Sequence, residues 1–146
     1  MEMEKTKTPG KGLLKVMGII ELVFGGISSI MVFIGLTSVE TLNLIQPLNY
    51  GMSWQMLYIW QFIVICYCIF VGIMAVMHCA TLEKSSSLKK LGIIMLVIVI
   101  IDGIIAVAFI GISSIVLIPI SIALSSLIIV GANKNEKEFN EVKTNS

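Results

Sequence analysis

Apolar residues fall in four long blocks, 13–36, 54–79, 91–111 and 114–132, with short polar connections between them. A hydrocarbon core about 30 Å thick is crossed by roughly 20 helical residues. Each block therefore predicts a transmembrane helix. Inside the blocks, smaller and more polar residues recur at alternating steps of three and four. The first block gives Gly18, Glu21, Gly25, Ser28, Val32 and Gly35. The second gives Gln61, Ile65, Cys68, Gly72, Ala75 and Cys79, and the third Gly92, Met95, Val99, Asp102, Ala106 and Phe109. The fourth gives Ser114, Ile118, Ser121, Ser125, Ile128 and Ala132. Such a stripe is one face of a helix. Lipid tails are as apolar as leucine, so helices in a bilayer gain from close backbone approach over small residues and from interhelical hydrogen bonds. Gly18, Gly25, Ser28, Gly35, Gly72 and Ala75 are accordingly expected at helix contacts. The sustained spacing predicts an all-α, left-handed antiparallel bundle of four helices crossing near +20°.

The connections orient the bundle. Lys5, Lys7, Lys11 and Lys15 lie at the start, Lys84, Lys89 and Lys90 between blocks two and three, and Lys134, Lys137 and Lys143 after block four. The connection 37–53 has no lysine, and Gly111-Ile112-Ser113-Ser114 is the only turn between blocks three and four. Under the positive-inside rule both termini are expected in the cytoplasm of a multi-pass cell-membrane protein. Residues 1–12 and 133–146 read as polar cytoplasmic tails, the second of them mobile, and 80–90 as a loop. The first block is too long for the apolar core of a signal peptide and is expected to be retained. There is also an internal echo: Leu14-Lys15-Val16-Met17-Gly18-Ile19-Ile20 against Leu88-Lys89-Lys90-Leu91-Gly92-Ile93-Ile94, and Phe33-Ile34-Gly35 against Phe109-Ile110-Gly111. This suggests two tandem hairpins in parallel orientation.

Composition agrees with the pattern. The chain is 57% hydrophobic and only 13% charged, which leaves too little polar surface to cover a soluble fold. A net charge of +1 without a basic, aromatic-rich patch points away from nucleic acid. Ten basic residues without one arginine, among many isoleucines and asparagines, point to an AT-rich genome such as that of a low-GC bacterium. Cys66, Cys68 and Cys79 all lie in block two, with neither the context of a disulfide framework nor the spacing of a metal site. They read as small packing residues, and no metal or cofactor is expected.

Glu21 and Asp102 are the chemical anomaly. An acid at the bilayer centre costs at least about 2.5–3.5 kcal/mol on insertion scales, and no lysine is placed to pair with it: Lys15, at the edge of the first block, is six residues from Glu21, which is not a same-face spacing. The available solutions are a neutral acid, a bound cation, or a basic residue of a partner protein. Counting from the block ends, both acids are expected at similar depths, with Ser121 and Ser125 of the fourth block as their polar neighbours. Glu21, Asp102, Ser121 and Ser125 are thus the candidate proton or ion site. The competing reading is two neutral acids whose hydrogen bonds lock the bundle. His78 reads as an interfacial residue, Gln61 as a polar contact near the outer face, and Trp54, Tyr58 and Trp60 as headgroup-level aromatics. Pro119 marks a kink or a helix start.

No Ser-His-Asp set, phosphate-cradling loop or metal cluster is present, so an enzyme is not expected. The four-span layout is similar to that of tetraspanins and claudins. The Cys-Cys-Gly and tryptophan–cysteine loop patterns of those families are absent, so no site is carried over from them. Two functions remain. One is a small membrane protein acting by interaction with other membrane proteins, as an accessory subunit, assembly factor or immunity-type factor. The other is a proton- or cation-coupled transporter or pore, working as a homo-oligomer because one small chain encloses little space.

Overall fold

The computed structural model of the chain describes residues 8–40, 53–109 and 118–144. The described residues form a bundle of four long helices: α1 Lys11–Thr37, α2 Trp54–His78, α3 Ser85–Phe109 and α4 Ile118–Thr144. All four are long and apolar enough to cross a membrane. Each packs on two others in the cyclic order α1, α2, α3, α4, and the closest pairs are α1 with α2 and α3 with α4. The turn before block four lies outside the described residues. The described lysines all gather at one end of the bundle, formed by the starts of α1 and α3 and the ends of α2 and α4.

Local chemistry sets the helix ends. Ser53 caps α2 by accepting a hydrogen bond from the Met56 N–H, the usual role of a hydroxyl at that position. After His78 the chain turns through Cys79 and Ala80 and a single 3₁₀ turn, Leu82–Lys84, into α3. The expected loop 80–90 is therefore much shorter. Residues 85–90 are already helix, because Ser85 and Leu88 are buried, each only 1% exposed. The expected mobile tail also differs, since residues 133–144 continue α4. Pro119 falls in the first turn of α4 as described, where its missing N–H costs nothing.

The inner face of α1 buries Leu14, Gly18, Glu21, Gly25, Val32 and Gly35, with Ser28 half-buried. α2 buries Gly72 and Ala75. At Gly18 the two helices meet backbone to backbone: a Cβ there would lie 2.8 Å from the Gly72 carbonyl oxygen, and one on Gly72 3.0 Å from that of Gly18. Only glycine at both positions allows this approach. Gly92, the echo of Gly18, also lies against the partner helix of its hairpin, but there it meets the side chains of Ile129 and Ile128 of α4 rather than backbone. Each hairpin thus closes on its own glycine. Phe33, Met31, Ile30, Met77 and Ile104 point outward, all more than 60% exposed, a surface suited to lipid rather than water.

The main core sits toward the lysine-rich end and contains Leu14, Val71, Ala75, Leu88, Met95, Ile128 and Ala132. A polar clasp closes that end. Asn135, fully buried, accepts a hydrogen bond from the Gly10 N–H at 2.7 Å and donates to the Cys79 carbonyl at 3.0 Å. One amide thereby ties the entry to α1, the exit of α2 and α4 together. Nearby, beyond the last apolar turn of α4, Lys89 pairs with Glu136 at 2.7 Å. The hydrogen bond from the Lys89 ammonium holds the Glu136 carboxyl below the usual glutamate range. A carboxyl depressed in the folded state adds stability above its unfolded value, and that contribution is lost as pH falls through the folded value. The pair is partly exposed, so Lys89→Met is expected to cost no more than about 1 kcal/mol. Denaturant titrations in detergent check this: the wild type should lose its small advantage over the variant on acidification.

Candidate functional site

The other half of the bundle is less filled. A cavity of about 440 Å³ lies between the four helices. Its polar lining is Glu21 and Ser28 from α1, Gln61 and Cys68 from α2, Asp102 from α3 and Ser121 from α4. Apolar walls come from Val64, Ile65, Met95 and Val99. Two further lining residues, Phe24 of α1 and Ile120 of α4, are about half exposed, at 52% and 49%. The cavity therefore reaches the outside of the bundle between α1 and α4. Side-chain and backbone contacts join those two helices at the lysine-rich end, where Gly10 and Leu14 meet Gly131 and Asn135.

The two acids have different surroundings. Asp102 Oδ1 accepts two hydrogen bonds from α2, one from the Trp60 indole N–H at 2.9 Å and one from the Gln61 amide at 2.6 Å. Glu21 is only 5% exposed, and its Oε1 is buried with no hydrogen-bond partner. A buried polar atom in that condition is rare and costly. The acids also stand at different heights. Glu21 lies beside Gly72 of α2 and Asp102 beside Gln61, which separates them by two to three helical turns, about 10–16 Å. The expectation of similar depths fails because α3 starts before its apolar block does. In the internal repeat, Glu21 aligns with Met95 and Ser28 with Asp102, and all four line the cavity.

Ser121 is at the cavity as expected. Ser125 is not: it is fully buried, and its hydroxyl donates to the Ser121 carbonyl one turn back, a local bond that any helix allows. The partners expected for the acids from α4 are thus supplied to Asp102 by α2 instead. Trp60, read as a headgroup-level aromatic, turns its indole N–H to Asp102, and Gln61 does the same with its amide. Cys68 lines the cavity, Cys66 is exposed and Cys79 is buried. Among the described residues no group of three or more His, Cys, Asp or Glu is placed to hold a metal ion.

Asp102→Ala is expected to destabilise the bundle by about 1–2 kcal/mol, because it leaves two half-buried donors without an acceptor. Asp102→Asn is expected to cost less, since its amide oxygen can accept the same two bonds. Unfolding in detergent, followed by tryptophan fluorescence, checks the order of the two. Equal losses would mean that Asp102 contributes charge rather than an acceptor.

Comparison with family models, curated proteins and solved structures finds no match for this chain.

Proposed function

We propose that this chain is a multi-pass membrane protein that moves protons or cations, with Glu21 as the group that binds and releases them. Asp102 serves mainly to hold α2 against α3. Both termini and the lysine-rich end face the cytoplasm, in accord with the positive-inside rule. The observation that carries this reading is the Glu21 carboxyl: nearly fully buried, with one oxygen unpartnered, on the wall of a cavity whose lining, among the described residues, includes a second carboxylate and no basic residue. An ionisable group in such a place persists where a proton or a cation completes it. The cavity lies within one bundle, so binding needs no second copy, although the working unit is proposed to be a homo-oligomer.

The test is reconstitution of the full chain into liposomes containing a pH-sensitive dye, with an imposed cation gradient. Proton movement that requires the protein and follows the gradient supports the reading. Vesicles no different from empty ones refute it.

The seam between α1 and α4 favours a second reading, in which the chain acts by interaction. A helix of another membrane protein, seated on the half-exposed Phe24 and Ile120, would bring a basic side chain within reach of Glu21. The native complex, extracted in mild detergent, separates the two. Multiples of 16.0 kDa alone support a self-sufficient carrier, and co-purifying membrane proteins support the interaction.

A further inference from the structure

We infer that the cavity is a binding site for a monovalent organic cation with an apolar body, its charged nitrogen on Glu21 and its body against Val64, Ile65, Met95 and Val99. The inference deepens the cation reading above and rests on it for transport, though not for binding. Three features of the cavity carry it. The first is size. A water molecule occupies about 30 Å³ in the liquid, so about 440 Å³ is far more room than a proton or a bare metal ion uses. The second is the arrangement of oxygens. Hard metal cations gather six or more oxygens around one point, whereas here the acids are spread over two to three helical turns, with Ser28, Gln61 and Ser121 also lining the cavity. The third is the pairing of chemistries. Apolar walls share the lining with Glu21, one of whose carboxyl oxygens has no partner, and among the described residues the lining holds carboxylates but no ammonium or guanidinium. A cation with an alkyl or aryl body satisfies walls and carboxyl together, because burying its body releases apolar surface from water while its charge meets the acid. The way in between α1 and α4 passes the half-exposed Phe24, whose ring can attract a cation by its face.

The probe is tetrapropylammonium, measured by equilibrium dialysis against the full chain in detergent, with protein-free micelles as background. One saturable site per chain is expected. Glu21→Gln should weaken it at least about tenfold, as loss of a charge-assisted contact does. Glu21→Asp should retain part of the affinity. Sodium and tetramethylammonium, with little or no apolar body, should compete at least about tenfold less well than unlabelled tetrapropylammonium. Ser28→Leu keeps the carboxyl and fills part of the cavity, so it should also weaken binding; circular dichroism confirms that each variant is folded. Unchanged affinity in folded Glu21→Gln, or equal competition by sodium, overturns the inference. If tetrapropylammonium does not bind while Glu21-dependent proton flux persists, the ligand class falls and the transport reading stands. If it binds through Glu21 but neither it nor protons cross the membrane, the site stands and the transport reading falls.

Discussion

Glu21→Gln is expected to reduce gradient-driven flux in proteoliposomes to the level of protein-free vesicles, with the helical content and unfolding midpoint of the bundle unchanged or raised. Glutamine has the size of glutamate and keeps an oxygen and a polar hydrogen, but it neither carries a negative charge nor exchanges a proton. The substitution therefore removes the proposed chemistry and leaves the packing beside Gly72 in place. Stability should not fall, because the carboxyl oxygen it replaces is buried without a partner, a condition that costs free energy in the folded state. Function and stability thus part in opposite directions at Glu21, whereas at Asp102, with its two donors from α2, they should fall together. A Glu21→Gln variant that unfolds more easily than wild type and loses flux in proportion would show that Glu21 is structural, and the proposed mechanism would fail. Flux measured at matched protein density, together with unfolding midpoints for Glu21→Gln, Asp102→Asn and the wild type, decides this.

The largest stability effect is expected at the clasp of the lysine-rich end. A Cβ on Gly10 would collide with the Gly131 carbonyl oxygen and lie 2.8 Å from Asn135 Oδ1. The Gly131 carbonyl is backbone and cannot swing aside, so Gly10→Ala must push the start of α1 off α4 and break the Gly10–Asn135 hydrogen bond as it does so. Asn135→Ala attacks the same joint from the other side and leaves the Gly10 N–H and the Cys79 carbonyl without their partner. At about 1–3 kcal/mol for each buried group so orphaned, either change should cost roughly 2–5 kcal/mol. Gly12→Ala is the control. It lies two residues further on, in the first turn of α1, with nothing within 4 Å of an added Cβ, and alanine is the better helix former. It should therefore be neutral or slightly stabilising. Denaturant midpoints for the three variants test the clasp directly; equal behaviour of Gly10→Ala and Gly12→Ala would refute it.

Both predictions depend on residues whose legibility in the sequence was uneven. The four helices follow from block length and hydropathy, because a bilayer imposes one length and one polarity on any helix that crosses it. The inner face of α1 was equally plain, since glycines repeating at a helical period serve close approach and little else. The polar flanks were harder. Gly10 and Leu14 continue the α1 stripe backward, Leu88 and Ser85 continue that of α3, and Asn135 continues that of α4, all at the same steps of three and four. Hydropathy hides this extension, because it registers where lipid ends and not where packing ends. The periodicity, followed past the apolar blocks, was the available signal for Asn135, and none pointed to Trp60 as a partner of Asp102.

By itself, then, the chain's pattern determined four membrane-length helices, the face each turns inward and the presence of two acids within them, because these depend only on period, length and side-chain chemistry. The relative heights of the helices belong to tertiary structure. Register between α2 and α3 is set by the short turn at Leu82–Lys84 and by the early start of α3 at Ser85, and it brings Trp60 and Gln61, rather than a residue of α4, to Asp102. The same register leaves Glu21 two to three turns away with an oxygen unpaired. Two carboxyl groups that look alike in sequence are thus divided into one that is held and one that faces a cavity. The physical reason is that a hydrogen bond requires a donor within about 3 Å, and only the packed bundle decides which side chains come that close.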